Sequence, residues 1–191
     1  MNLPNKLTIF RIVLIPIYII FLMVDITPVD NYIATAIFII ASLTDLFDGR
    51  IARKRGIVTN FGIFADPLAD KLLTASAFIC FVSLGIMPEW VCIIIIAREF
   101  AVSGFRLVVA ANGTVIAASK WGKFKTITQM IYIIIATLNG APLFNWMNLP
   151  TAVANVYDIV VVVFMYLALV LTIVSMIDYF YKNRDGFTTK N

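Results

Sequence analysis

The chain of 191 residues is 61% apolar and 14% charged, where a soluble domain averages roughly 45–50% and 25%, and its mean hydropathy is +0.95. Such a composition excludes an ordinary soluble domain and reads as one compact integral membrane domain. The absence of histidine excludes mechanisms built on imidazole, including Ser-His-Asp hydrolysis, His-ligated zinc and phosphohistidine intermediates, while a net charge of +4 with no soluble basic region to carry it excludes nucleic-acid binding.

Six apolar runs predict transmembrane helices near residues 7–24, 31–50, 60–84, 89–110, 124–143 and 153–180, most reaching the ~20 residues that cross a bilayer. Only helices satisfy their own backbone groups in lipid over such continuous segments, so an all-α bundle of six transmembrane helices is expected. The first run follows Lys6 and Arg11, and no small-x-small cleavage site comes after it, so it reads as an uncleaved span. Cys80 and Cys92 lie inside apolar runs without CxxC spacing and read as core residues. Basic residues alternate along the chain: Lys6 and Arg11, then Arg50, Arg53, Lys54 and Arg55, then Lys120, Lys123 and Lys125, then Lys182, Arg184 and Lys190. Residues 25–30, 85–90 and 140–152 carry neither Lys nor Arg. The positive-inside rule therefore places both termini and the basic connections on the cytoplasmic side of the cell membrane. Residues 1–181 read as a single transmembrane domain and 182–191 as a short polar cytoplasmic tail.

Four of the eleven acids, Asp45, Asp48, Asp66 and Asp70, fall near the cytoplasmic ends of the second and third runs. An ionised Asp at a bilayer centre costs about 2.5–3.5 kcal/mol, so acids here need water, a cation or a basic partner. Separations of three and four residues place each pair on one helical face, and a short connector makes the two helices antiparallel neighbours with both pairs at similar depth. Converging carboxylates suit a hard divalent cation, Mg²⁺ or Mn²⁺, and two ions roughly 3.5–4 Å apart is the arrangement used for phosphoryl displacement. Three other readings stand beside it: ion pairing with Arg50, Arg53, Lys54 or Lys71, a proton or cation pathway of a small transporter, and a membrane scaffold. Gly49, Ala52 and Gly62 leave room for a ligand near the acids, although small residues also serve plain helix packing in membranes.

The segment Asp45-x2-Asp48-Gly49-x2-Ala52-Arg53-x8-Gly62-x3-Asp66-x3-Asp70 resembles the signature of the CDP-alcohol phosphatidyltransferases at all of its defined positions, and the six-span layout extends the likeness along almost the whole chain. Members of that family move a phosphatidyl-type group from a CDP-linked lipid to an alcohol and release CMP. The resemblance implies that Asp45, Asp48 and Asp66 ligate metal and that Asp70 both ligates metal and acts as general base on the acceptor hydroxyl. It further implies that Asp48, Gly49, Ala52, Arg53 and Gly62 shape the cytidine diphosphate pocket, that two Mg²⁺ or Mn²⁺ ions are held, and that the protein forms a homodimer.

For the acceptor, Arg98 and Arg106 lie eight residues apart on the fourth run, near one face, and Lys120, Lys123 and Lys125 approach from the next connection. Together they can bind a phosphate on the acceptor; topology or headgroup contact explains Arg106 and the lysines equally well. Arg98 lies deep in its span, where a lone cation is costly and adjacent Glu99 or a metal-site carboxylate can partner it. The segments Leu3–Arg11, Arg98-Glu99-Phe100 and Gly122–Thr126 look like those of family members that use CDP-diacylglycerol and sn-glycerol 3-phosphate. Inositol phosphate or serine acceptors are the alternatives within the family. Asn5, Thr8 and Arg11 sit near the same membrane face as the acids and are read as polar contacts rather than catalytic groups, or as part of an interfacial anchor.

Overall fold

The structure, a computed structural model, describes the backbone of residues 3–55, 60–111, 119–138 and 151–182, with side chains described over 7–44, 68–106, 109, 119–138 and 155–182. These residues form six helices and, among the described residues, no strand: α1 (Leu3–Met23), α2 (Asp30–Arg55), α3 (Asn60–Ser83), α4 (Glu89–Ala111), α5 (Lys120–Leu138) and α6 (Thr151–Lys182). The expected all-α architecture is therefore observed. α1 begins four residues before its apolar run, α2 ends five residues beyond its own, and α5 begins four residues early. All three extensions carry lysine or arginine. Those residues form helix well and can lay their stems along apolar surface, so hydropathy marks the apolar part of a helix and understates its length.

The connections at the other end are short, and their sequences explain their shapes. Residues 24–29 link α1 to α2. Pro28 lies in the turn that leads into α2, and the carboxylate of Asp30, its first residue, reaches back to accept from the N–H groups of Ile26 (2.6 Å) and Thr27 (2.8 Å) and from the Thr27 hydroxyl (2.6 Å). Desolvation pushes the Asp30 carboxyl up, but these three hydrogen bonds outweigh it and hold the group below the usual carboxylate range. α3 stops by a different device. Gly85, at φ +71°, is the left-handed residue after the helix. Gly85 N–H donates to Val82 O (3.0 Å) and Ile86 N–H to Phe81 O (2.9 Å), the paired bonds of a Schellman motif.

α1 packs against α2 and α3, α2 also against α5, and α6 against α4 and α5. The core between them is apolar and aromatic: Tyr18 of α1, Phe38 of α2, Phe78 and Phe81 of α3 and Tyr132 of α5 are all essentially inaccessible. Phe81 meets the Tyr132 ring edge-on with centroids 5.7 Å apart, a favoured aromatic geometry. Cys80 and Cys92 are buried free thiols, as expected of core residues. Outward faces are apolar as well, with Ile93, Ile159 and Ile177 among the most exposed residues. A helix apolar on both its packed and its open side is suited to lipid. Within α6 the segment Asn155–Lys182 is long and apolar enough to cross a membrane, and Leu7–Met23 and Asp30–Thr44 are shorter apolar helices. α4 carries Arg98 and Glu99 in its middle.

Candidate active site

Each of the first three helices turns one buried stripe toward the others, and the helical repeat carries that stripe onto the charged residues. In α1 the stripe is Leu22, Tyr18, Ile15, Arg11 and Thr8, with Tyr18, Arg11 and Thr8 wholly inaccessible. In α2 it is Ala34, Phe38 and Ala41, and steps of four and three residues continue it to positions 45 and 48. In α3 it is Ala77, Leu73 and Ala69, and one further turn brings position 66 onto the same face. Asp70 stands beside that stripe and is half-buried. The four acid-bearing positions thus lie at the end of the bundle where α1 starts, α2 ends and α3 starts, called here the basic end. The side chains of Asp45, Asp48, Gly49, Ala52, Arg53, Gly62 and Asp66 lie outside the described residues, as does that of Asn5.

The stripes explain why these sequences bury charge. A helix with an inward stripe of alanines lets its neighbours approach closely. Toward the polar end the same register continues to positions 45, 48 and 66, which the sequence fills with aspartate. The donor chemistry fits a divalent cation: four carboxylates at helical spacings on two adjacent helices, all hard oxygen ligands, with no soft or imidazole donor required.

A second polar group occupies the other side of the basic end, and its side chains are described. Glu99 of α4 accepts through Oε1 from Arg98 Nη1 at 3.3 Å and from the ammonium of Lys125 on α5. Arg98 Nη2 donates to the Ser175 hydroxyl of α6 at 3.0 Å. Ser175 donates in turn to Thr172 O (3.0 Å), and the Thr172 hydroxyl accepts from Gln129 Nε2 of α5 at 3.1 Å. One carboxylate and two cations are thereby fixed between three helices, with one net positive charge. Lys125 also lies close enough to Asp70 for electrostatic attraction, which ties this group to the acids. Arg98 Nε, buried, has no hydrogen-bond partner among the described residues. Arg98 also borders a groove of about 260 Å³ between α4 and α6, otherwise lined by Ile94, Ala97, Ala101, Thr172, Ile173 and Met176.

The structure thus divides the five predicted acceptor-binding cations. Arg98 and Lys125 come together on Glu99. Arg106 is exposed and lies over the Tyr179 ring, 5.4 Å from its centroid, while Lys120 and Lys123 are exposed on the first turn of α5. Thr8 and Arg11 are buried on the α1 stripe, within the continuous helix Leu3–Met23. Sequence reasoning missed the support from Gln129, Thr172 and Ser175. The available signal was the spacing of four between Lys125 and Gln129 and of three between Thr172 and Ser175, each marking a polar face in an apolar helix.

With the site in view, the comparisons with known proteins define its class. The family model described as CDP-alcohol phosphatidyltransferase matches residues 1–177, and the chain belongs to that family. Among its relatives, the CDP-diacylglycerol–glycerol-3-phosphate 3-phosphatidyltransferase of Bacillus subtilis is 42% identical, covering 100% of this chain and 99% of that protein. The proteins of the same name from Rickettsia bellii and Haemophilus influenzae are each 38% identical, over 94% and 93% of this chain and 93% and 91% of their own.

Proposed function

We propose that this protein transfers the phosphatidyl group of CDP-diacylglycerol to sn-glycerol 3-phosphate, giving phosphatidylglycerophosphate and CMP. The observation that carries this reading is the full-length similarity to relatives that bear this activity in their names. The position of the acids supports it chemically. In the reaction the acceptor hydroxyl gives up its proton, its oxygen bonds to the phosphatidyl phosphorus, and CMP leaves with the electron pair of the broken P–O bond. Asp70, half-buried and within reach of the charge on Lys125, takes the proton. Asp45, Asp48, Asp66 and Asp70 hold two divalent cations, Mg²⁺ or Mn²⁺, and Asp48, Gly49, Ala52, Arg53 and Gly62 form the cytidine diphosphate pocket. Bound there, the cations would neutralise the diphosphate oxygens and stabilise the charge that develops on departing CMP.

Arg98 and Lys125 receive the acceptor's phosphate. Glu99 keeps them together while leaving a net positive charge, and the unpartnered Arg98 Nε–H offers a donor. Arg106, Lys120 and Lys123 lie further out and draw the anionic acceptor toward the site. In this reading all six helices cross the cell membrane, the termini and basic connections face the cytoplasm, residues 1–181 form the catalytic domain and 182–191 the tail. Lipid tails then stay in the bilayer while cytidine and glycerol phosphate arrive from cytoplasmic water.

The test is a labelled-acceptor assay on the purified chain with CDP-diacylglycerol and a panel of glycerol phosphate, inositol phosphate and serine, each with Mg²⁺, Mn²⁺ or excess EDTA. Lipid product and CMP are expected with glycerol phosphate alone, and only when the metal is present. Turnover with another acceptor only would refute the acceptor assignment; turnover unaffected by EDTA would refute the metal site.

A further inference from the structure

Among the described residues Arg11 is the bulkiest side chain with no accessible surface. Its Nε donates to Ala41 O on α2 at 3.2 Å. Ala41 is the last described residue of the α2 stripe, and positions 45 and 48 follow it one and two turns on along the same face. α1 packs against α3 as well, whose stripe reaches position 66. A permanently charged guanidinium is thus sealed in where the acid-bearing faces of α2 and α3 meet α1.

Burial of such a charge is favourable only beside a compensating anion. Reciprocally, four carboxylates gathered for a divalent cation repel one another whenever that cation is absent. Neither arginine nor acids fit this interior without the other. We infer that Arg11 is the resident counter-charge of the acid cluster, set by the α1 register against positions 45, 48 and 66, so that it offsets carboxylate repulsion in the metal-free protein and is opposed by the arriving cation. The inference rests on the metal reading above. It has a thermodynamic consequence: a group that stabilises the metal-free state more than the metal-bound state weakens metal binding, and its loss must tighten it.

The experiment is direct Mn²⁺ titration of the full chain in detergent, free Mn²⁺ being read by electron paramagnetic resonance, with the thermal midpoint followed in EDTA and in saturating Mn²⁺. For Arg11→Gln the half-saturating Mn²⁺ concentration is expected to fall about tenfold, as removal of a nearby like charge predicts. Its thermal midpoint should fall more in EDTA than in Mn²⁺. Arg11→Lys, which keeps the charge, should bind Mn²⁺ within threefold of the parent. An unchanged or weaker Mn²⁺ affinity in Arg11→Gln, with equal loss of midpoint in both conditions, would reduce Arg11 to a packing contact on Ala41 and overturn the inference while leaving the metal site standing. A parent protein that binds no Mn²⁺ would bring down the metal reading and this inference together. Should Arg11→Gln fold only when purified in Mn²⁺, the same result is seen in extreme form. If it folds in neither condition, Arg11→Lys decides, since a change above tenfold in its affinity contradicts a role for charge alone.

Discussion

The two ends of the bundle are made from the same helices but follow opposite rules. Toward the Asp30 end the interior is Tyr18, Phe38, Phe78, Phe81 and Tyr132, and the Tyr18 hydroxyl pairs with that of Thr137 at 3.2 Å. Toward the basic end the same interfaces bury Thr8, Arg11, Arg98, Lys125, Gln129, Thr172 and Ser175. An apolar interior is held by contact and shape and tolerates small local losses. A charged interior is a coupled network in which every ion depends on its partners, so losing one leaves another uncompensated. Stability and function are therefore expected to separate along the bundle axis: substitutions at the far end should affect folding, and those at the basic end should affect catalysis.

The sharpest break of this comparison is Asp70→Asn. Removal of a general base costs typically 10²–10⁴-fold, and an at least hundredfold loss of CMP release is expected, with an unchanged elution volume in detergent showing that the bundle is intact. Full turnover would show that the basic end does not place its base at Asp70. Next in size is Arg98→Ala. Glu99 keeps Lys125 as a partner, so the fold should survive, and the KM for glycerol phosphate should rise about tenfold with the KM for CDP-diacylglycerol unaltered. A parallel rise in both would mean that Arg98 supports the site as a whole.

Far-end substitutions should behave in the opposite way. Tyr18→Phe deletes the hydroxyl pair with Thr137 and should cost about 1 kcal/mol of stability, or less in lipid, with specific activity within twofold of the parent; a larger loss of activity would show that the two ends are coupled. The smallest effect is at Asp30. Its carboxyl is held below its ordinary value in the folded chain, so its contribution is present at neutral pH and lost as pH falls through that lowered value. The thermal midpoint of the parent should therefore drop at acid pH by more than that of Asp30→Asn, whose amide does not titrate.

The described side chains also show how each polar group was or was not legible. Apolar runs located each of the six described helices, because a long apolar segment must satisfy its backbone within itself. The ends moved because helix continues where apolarity stops: α5 starts at Lys120, not at residue 124. Spacing paired the acids on helical faces, and the helices indeed run unbroken through 45–48 and 66–70. Adjacency suggested Glu99 for Arg98. Nothing in the order of residues connected Glu99 with Lys125, twenty-six positions away, or Arg98 with Ser175, because those contacts depend on which helices become neighbours and at what height.

Sequence by itself determined the material of this protein: a histidine-free apolar chain, helical by necessity, with acids at fixed intervals and most of its positive charge grouped at alternate ends of the apolar runs. These are local properties, set by periodicity and by the cost of exposing a backbone to lipid. Tertiary structure alone decided which charges share a neighbourhood. It divided five candidate cations into a buried pair on Glu99 and three exposed groups, and it sealed Arg11 against Ala41 beneath the acid-bearing face of α2. Attraction between charges falls with distance and is magnified by burial, and both quantities come into being only when the helices pack.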